Sequence, residues 1–271
     1  TNPEIVFHEY ETWRHQFLAP NLGAKGTFFT DVRVRKALYF AMDRDLIVDE
    51  ILLGYGVRAD GPQPPPSPAY APDRITTIYG YDPAMAMSLL EEAGWVDSDG
   101  DGIREKDGAP FSTELYYVDS QVNVQQVAYF QQVFGEIGIE IIPVAEPQPT
   151  YLDRLFAGDF QLGLLGATWI NQGDQGALYA TAGIPPNGFN ISQWSNPDYD
   201  ALQAQQLVEL DPDARFEILV EMSNLINEDA AEIILYFDKG VAATQPRLKN
   251  AYPNGFGLTW SLPWMWIDPA L

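Results

Sequence analysis

The segment from residue 113 to residue 165 alternates between strand-like and helix-like patterns, and this alternation limits the possible folds more than any other feature. The strand patterns cover residues 113–118, 139–144 and 160–165, and the helix patterns cover residues 122–137 and 150–157. An order of strand, helix, strand, helix and strand is typical of parallel strands that are covered by helices. The sequence therefore predicts an α/β fold.

Further elements are predicted on both sides of this unit. Residues 3–18 mix β-branched and aromatic residues with polar ones in near alternation, which predicts two short strands. Capping side chains and well-placed prolines predict helices at about 31–42, 43–53, 83–93, 197–207 and 212–229. Strands are predicted at 233–237 and 241–243. The proline-rich run GPQPPPSPAYAP, residues 61–72, predicts an extended loop that packs over the surface.

The charge balance excludes several classes of partner. The 271 residues include 38 acidic and 15 basic residues, giving a formal net charge of -23, so nucleic acid and anionic membrane surfaces are repelled. The absence of cysteine and the presence of only two histidines exclude disulfides, thiolate chemistry and an imidazole-rich metal site. No apolar run approaches the roughly 20 residues of a membrane span. A targeting leader is not evident, and we expect either its removal or a chain that starts partway through a longer protein.

The run DSDGDGIREKDG, residues 97–108, resembles a calcium-binding loop. Carboxylates occupy the first, third and fifth positions, a main-chain carbonyl is available at the seventh, and Glu105 is at the ninth. Gly108 stands at the twelfth position, where a bidentate glutamate is usual, so only the adjacent aspartate could replace it and affinity would be weak. The alternative is a metal-free turn and hairpin, which Asp and Gly form readily. The predicted ligands of a structural calcium ion are Asp97, Asp99, Asp101, Ile103 and Asp107. No cofactor is otherwise required.

The irregular stretch from residue 164 to residue 194 combines aromatic side chains with amides, and such a long irregular segment is usually functional. Stacked rings and amide hydrogen bonds suit a neutral oligosaccharide. Residues 155–214 contain no Lys or Arg, so this region offers no evident cation for a ligand carboxylate. Trp169 follows a predicted parallel strand, where ligands of α/β sheets are found, whereas Trp194 precedes a helix cap and is expected to pack in the core.

Several segments resemble one family across nearly the whole chain. They are FFTDVRVRKALYFAMDRDLIVDEILLGYG (28–56), YGYDPAMAMSLLEEAGW (79–95), DGDGIREKDG (99–108), IGIEI (137–141), FNISQWSNPDYDAL (189–202) and PWMWI (263–267). Together they are similar to the C-terminal half of extracellular solute-binding proteins of family 5, the receptors of bacterial ABC importers for peptides, nickel and oligosaccharides. The resemblance implies a periplasmic-binding-protein-like (type II) lobe with a mixed sheet flanked by helices.

This resemblance also implies a domain division and a location. Residues 28–240 would form the second lobe of a two-lobed receptor. Residues 1–27 would be strands that cross from the first lobe, and residues 241–271 would return toward it. The receptor would capture a small solute, an oligosaccharide or a peptide, by closing its lobes, and would present it to the importer permease. It would act outside the cytoplasm, in the periplasm or at the outer membrane face, as a lipid-anchored or secreted protein.

In peptide-binding members of the family, an aspartate three residues after the tryptophan equivalent to Trp169 holds the peptide α-amine. Gln172 stands at that position here, and Asp174, two residues further on, could substitute. The ligand-binding residues predicted from the stretch and the resemblance are Trp169, Asn171, Gln172, Asp174, Tyr179 and Asn190.

Two other functional classes compete with an importer receptor. A secreted glycoside hydrolase needs two carboxylates across one site, but Asp174 is the only acid in the aromatic stretch. A calcium-dependent carbohydrate-binding module predicts repeated calcium loops, and the sequence contains one. We therefore expect a binding protein, not an enzyme.

Overall fold

The computed structural model describes residues 5–169 and 172–269. Its strands are β1 (Val6–Pro20), β2 (Gly56–Arg58), β3 (Glu105–Lys106), β4 (Ala109–Pro110), β5 (Ser112–Val118), β6 (Glu140–Glu146), β7 (Leu162–Thr168), β8 (Ile233–Thr244), β9 (Leu248–Lys249) and β10 (Trp266–Ile267). Its α-helices are α1 (Val32–Phe40), α2 (Arg44–Leu46), α3 (Pro83–Glu92), α4 (Gln121–Gly135), α5 (Gln148–Ala157), α6 (Gly176–Tyr179), α7 (Pro197–Gln206) and α8 (Pro212–Glu228). None of these helices has the length and apolar character needed to cross a membrane.

Local capping signals determine where the helices begin. The side chain of Asp31 accepts a hydrogen bond from the main chain of α1, and Asp82 and Asn196 act in the same way on α3 and α7. Each of these side chains satisfies an N–H group that has no partner within its helix. Asp43 caps α2, which continues as a π-helical segment at Ile47–Ile51. The predicted helices therefore occur close to their predicted positions.

The parallel half of the main sheet confirms the predicted alternation. The six strands have the order β2-β8-β1-β7-β5-β6. β5 pairs in parallel with β6 on one side and with β7 on the other, and α4 and α5 make the two connections. β1 pairs antiparallel with both β7 and β8, so the sheet is mixed, as predicted.

Two pairs of predicted short strands are instead two long strands. The segment predicted as two strands at 3–18 is the single strand β1, and the segments 233–237 and 241–243 are joined in β8. The reason is mutual pairing, because these strands run antiparallel from Val6 opposite Thr244 to Leu18 opposite Ile233. A bulge interrupts the register, with residues 12–14 of β1 set against Asp238 alone. The division into lobe and crossing segments at 27 and 240 stays a prediction, although residues 14–20 lie within the main sheet.

Apolar side chains cover both faces of the sheet. On one face, residues such as Leu18, Leu115 and Leu164 join the large core cluster that includes Phe130 of α4. On the other face, a smaller cluster contains Phe17 and residues of α5. The alternation of neighbouring residues between the two clusters is what a strand buried on both faces requires.

A buried arginine attaches the irregular loops to this core. Arg44 is 4% exposed, and its guanidinium donates to the carbonyls of Ala59, Ile234 and Tyr79. It also contacts the carboxylate of Asp60 at 3.2 Å. These acceptors come from segments far apart in the sequence, so one side chain satisfies main-chain groups that would otherwise be buried without partners.

We expect replacement of this arginine to destabilise the protein strongly. Arg44→Met should lower the free energy of unfolding by about 3 kcal/mol, because it leaves buried carbonyls unsatisfied. Lys25→Met is the matched control, since its ion pair with Asp159 is exposed on both sides and should be worth under about 0.5 kcal/mol. Urea denaturation of the two variants measures the difference, and equal losses would contradict the role given to Arg44.

Candidate functional site

An open cleft lies at the end of the sheet where the parallel strands finish. β5 ends at Val118 and β7 ends at Thr168, and ligands of α/β sheets bind beyond the carboxyl ends of such strands. The cleft has a volume of about 500 Å³, enough for a small organic solute. Its walls come from β1, β5, β7 and β8 and from the first turns of α4 and α5. The lining residues include Arg14, Gln16, Val118, Ser120, Asn123, Gln148, Tyr151, Leu165, Gly166, Tyr236 and Asp238.

The last part of β7 has a strand partner on one side only. β5 pairs with β7 from Leu162 to Leu164, and the hydroxyl of Tyr151 donates to the carbonyl of Leu164 at 2.8 Å. Beyond this point β7 continues to Thr168, paired with β1 on its other side. Within the described residues, the edge of residues 165–168 that faces the cleft has no paired strand. A free strand edge presents main-chain donors and acceptors to whatever enters the cleft.

A charged pair lies in the cleft beside this edge. Arg14 is opposite Thr168 in the pairing of β1 with β7. Its Nε is 2.8 Å from a carboxylate oxygen of Asp238 on β8, and its Nη2 donates to the amide oxygen of Gln16 at 3.3 Å. Burial raises the pKa of Asp238, and the nearby guanidinium partly offsets this effect.

The aromatic stretch alone gives no indication of this charged pair. The stretch and its flanks contain no Lys or Arg, so no cation was expected there. The cation comes instead from β1, because strand pairing brings Arg14 next to the end of β7. The near alternation of residues 3–18 identified a strand but gave no information about its neighbours.

Trp169 directly follows β7, at the end of a parallel strand as predicted, and Gln172 lies three residues further on, but neither residue lines the cleft. The Trp169 ring is half-buried, its centroid is 5.7 Å from that of Phe189, and its Nε1 donates to the carbonyl of Asp174 at 2.7 Å. Gln172 is exposed and has a φ of 49°, in the left-handed region. Its carbonyl accepts from Arg215 at 3.0 Å. Asn171, also predicted to bind ligand, lies outside the described residues.

Three other predicted ligand residues serve the local fold. One carboxylate oxygen of Asp174 accepts from the main chain of Gly176 and from the side chain of Gln203, each at 2.9 Å. Tyr179 is 1% exposed, and its hydroxyl donates to Glu232 at 2.8 Å. Asn190 is also 1% exposed, and its amide donates to three main-chain carbonyls. Tyr179 and Asn190 are therefore core residues, and neither has exposed surface for a solute. Trp194 is buried, as expected for a packing residue.

The calcium-like loop brings four carboxylates together. Ligand oxygens of Asp97, Asp99, Asp101 and Glu105 all lie within 4.8 Å of one another. Asp107 was predicted as a ligand but is not in this group, because it lies in the turn that joins β3 to β4. Glu105 takes its place.

Hydrogen bonds within the loop also support the metal-free alternative. The carboxylate of Asp97 accepts from the main chain of Gly100 and Gly102, and that of Asp101 accepts from Ile103, the residue whose carbonyl was the remaining predicted ligand. Glu105 accepts from both the main chain and the hydroxyl of Ser98. These contacts are of the kind that a turn and hairpin of Asp and Gly make.

Comparison with known proteins shows which family the chain resembles. The model for bacterial extracellular solute-binding proteins, family 5 Middle, matches residues 1–208. The oligopeptide-binding protein AppA of Bacillus subtilis (strain 168) is 28% identical over 229 residues, 83% of this chain and 42% of that protein. The glutathione-binding protein GsiB of Pectobacterium atrosepticum is 27% identical over 260 residues, 88% of this chain and 45% of that protein.

Solved structures show the same fold. The structure of AppA from Bacillus subtilis in complex with a nonapeptide matches with a TM-score of 0.87 at 24% identity, covering 97% of this chain and 52% of that one. NikZ from Campylobacter jejuni in complex with Ni(L-His) matches with a TM-score of 0.85 at 22% identity, covering 96% of this chain and 53% of that one. The chain spans about half the length of the relatives it matches.

We propose that the 97–108 loop binds calcium weakly. Because Gly108 replaces the bidentate glutamate, we expect a dissociation constant of roughly 0.1–1 mM. Calcium at 10 mM, compared with chelator, should then raise the melting temperature by about 3–6 °C. The double variant Asp99→Asn/Asp101→Asn keeps side-chain oxygens for the turn but removes two charges, so its melting temperature should not respond. Equal shifts in both proteins, measured by differential scanning fluorimetry, would favour the metal-free turn.

Proposed function

Because the chain belongs to the bacterial extracellular solute-binding proteins of family 5, we propose that it forms one wall of the solute cleft in the substrate-binding component of an ABC importer. The observation that supports this proposal best is the free edge of β7, residues 165–168, of which Leu165 and Gly166 line a cleft of about 500 Å³. The receptor would capture its solute outside the cytoplasm and present it to the membrane permease. At the family level this is a transport binding protein and not an enzyme.

An oligopeptide is the solute class that this edge fits best. An extended peptide can add to a free strand edge through main-chain hydrogen bonds, while its side chains occupy pockets on alternate sides. Four residues of β7 extend about 13 Å, which matches a short peptide. The names of AppA and GsiB refer to oligopeptide and glutathione, so both of these relatives are named for peptide-type solutes.

An oligosaccharide is the second candidate. The half-buried ring of Trp169 and the ring of Phe189, which is 49% exposed, are in contact and could stack on a sugar face. The support for an oligosaccharide is weaker than the aromatic composition of the stretch suggested, because Tyr179 and Asn190 are buried in the core. The glycosidase alternative loses support for a similar reason, since hydrogen bonds hold Asp174 against Gly176 and Gln203.

Capture requires a second wall, which we propose is supplied by another lobe. β1 and β8 extend together beyond the other strands of the main sheet, and Phe7 near their far end is 68% exposed. Two strands of this kind can connect lobes and bend as the lobes close on a solute. Lipid anchoring or secretion of the whole receptor remains part of the proposal.

Peptide binding along β7 predicts a specific sensitivity to backbone methylation. Tri- to pentapeptides at about 100 times their dissociation constant should stabilise the full-length receptor by about 2.7 kcal/mol, seen as a rise in melting temperature. The same peptides with alternate residues N-methylated should lose most of this effect, because methylation removes main-chain donors. Stabilisation by α- or β-linked oligosaccharides, with none from any peptide, would support the second candidate instead.

Gln172→Asp should create an amine site. The left-handed φ of Gln172 is tolerated by aspartate, and the side chain is exposed, so we expect no folding defect. A new carboxylate in this position should increase affinity for peptides with a free α-amine about tenfold or more, as charge-assisted hydrogen bonds do. N-acetylated peptides are the control in calorimetric titrations. An equal gain for acetylated peptides would show that the amine is not bound at residue 172.

A further inference from the structure

Arg14 lies over a part of β7 that has no side chain. A Cβ atom at Gly166 would overlap the guanidinium of Arg14 and the amide oxygen of Gln16. The glycine therefore leaves the space in which the guanidinium lies against the strand, with Asp238 on one side and Gln16 on the other. The side chain remains 46% exposed toward the cleft, so a solute can reach it.

The guanidinium has unused donors. Nε contacts Asp238 and Nη2 donates to Gln16, while Nη1 makes no hydrogen bond with any described residue. A planar guanidinium can bind a carboxylate through two parallel N–H groups. Among the described residues that line the cleft, Arg14 is the only cation and Asp238 is the only anion. A negative group of the solute therefore has one charged partner in this wall.

The N-terminal ends of α4 and α5 also favour a negatively charged group of the solute. The first turns of α4 and α5 line the cleft through Ser120, Asn123 and Gln148. Neither first turn contains an acidic residue, although the chain as a whole is strongly acidic. The positive ends of the two helix dipoles are thus not neutralised from within their own helices.

We propose that Arg14 is the carboxylate anchor of the cleft and that Asp238 weakens this anchor by competing for the same guanidinium. The inference rests on the proposed peptide-binding function and makes the solute class more specific, namely a peptide that presents a carboxylate over Gly166. Because Asp238 already occupies Nε, the solute carboxylate approaches Nη1 and Nη2. The α-carboxylate and an acidic side chain share this chemistry.

The test uses the full-length receptor and matched tetrapeptides in calorimetric titrations. The probes are a neutral peptide with a free C-terminus, its C-terminal amide, and an amide with one glutamate. The wild type should bind at least one carboxylate-bearing peptide about 10- to 100-fold more tightly than the neutral amide. The carboxylate form that gains affinity identifies whether the chain end or the side chain is held.

The variants separate an anchor from a structural ion pair. Arg14→Gln should abolish the preference for the carboxylate over the neutral amide, because it removes the charge that the carboxylate binds. Lys25→Met removes an exposed cation that does not line the cleft, so it should leave both the preference and the affinity for the neutral amide unchanged. Asp238→Asn should increase the preference by about threefold or more, because it removes the competing carboxylate. The double variant Arg14→Gln/Asp238→Asn leaves no unpaired buried charge and should therefore fold normally. If it also lacks the preference for the carboxylate, the loss does not result from misfolding.

The outcomes distinguish this inference from the proposed function. If neutral amides and carboxylates bind the wild type equally, the inference is overturned while peptide capture stands. A reduced preference in Asp238→Asn would also overturn it, because that result assigns the pair a structural role. Failure of every peptide to bind would overturn both.

Discussion

The antiparallel insertion of β1 between β7 and β8 is the constraint on which the rest of the structure depends. It joins the beginning of the chain to a strand more than 200 residues later, from Val6 opposite Thr244 to Leu18 opposite Ile233. It also completes one side of β7 and leaves the opposite edge, beyond Leu164, open toward the cleft. The shape of the cleft and the position of Arg14 in it are therefore consequences of one long-range pairing.

Local physical chemistry explains which parts of the fold are predictable from the sequence. Helix starts depend on a capping side chain and its neighbours, so the positions of α1, α3 and α7 follow from Asp31, Asp82 and Asn196. The parallel unit from β5 to β7 follows from a change of periodicity. The order of the strands in the sheet does not follow from local sequence patterns, because burial and loop closure across the whole chain determine which strands pair. For this reason Arg14 was not recognised as a neighbour of Gly166.

The end of the strand that borders the cleft was predictable, but the residues that line the cleft were not. Trp169 follows a parallel strand as predicted, yet neither Trp169 nor Gln172 lines the cleft. Tyr179 and Asn190 have the same residue types as a sugar site, yet both are buried, and Asn190 uses its amide to satisfy three carbonyls of an irregular segment. Sequence composition cannot distinguish a ligand-binding amide from a structural one, because the same amide group can form a hydrogen bond with a sugar hydroxyl or with a main-chain carbonyl. In the acidic loop, likewise, spacing identified the cluster, but the hairpin geometry selected Glu105 in place of Asp107.

The bulge in β1 makes the chain unequally tolerant of changes in length. Three residues, 12–14, lie opposite Asp238 alone, and Trp13 and Arg14 point to opposite faces, with Trp13 packed against Phe256. Removing one residue here would shift every preceding position to the other face and would bring the indole of Trp13 to the cleft in place of the guanidinium of Arg14. The mostly exposed connection between α7 and α8, residues 207–211, faces no such alternation. Natural variation in length should therefore accumulate in connections of this kind, while the spacing between the outer and inner parts of β1 is held constant.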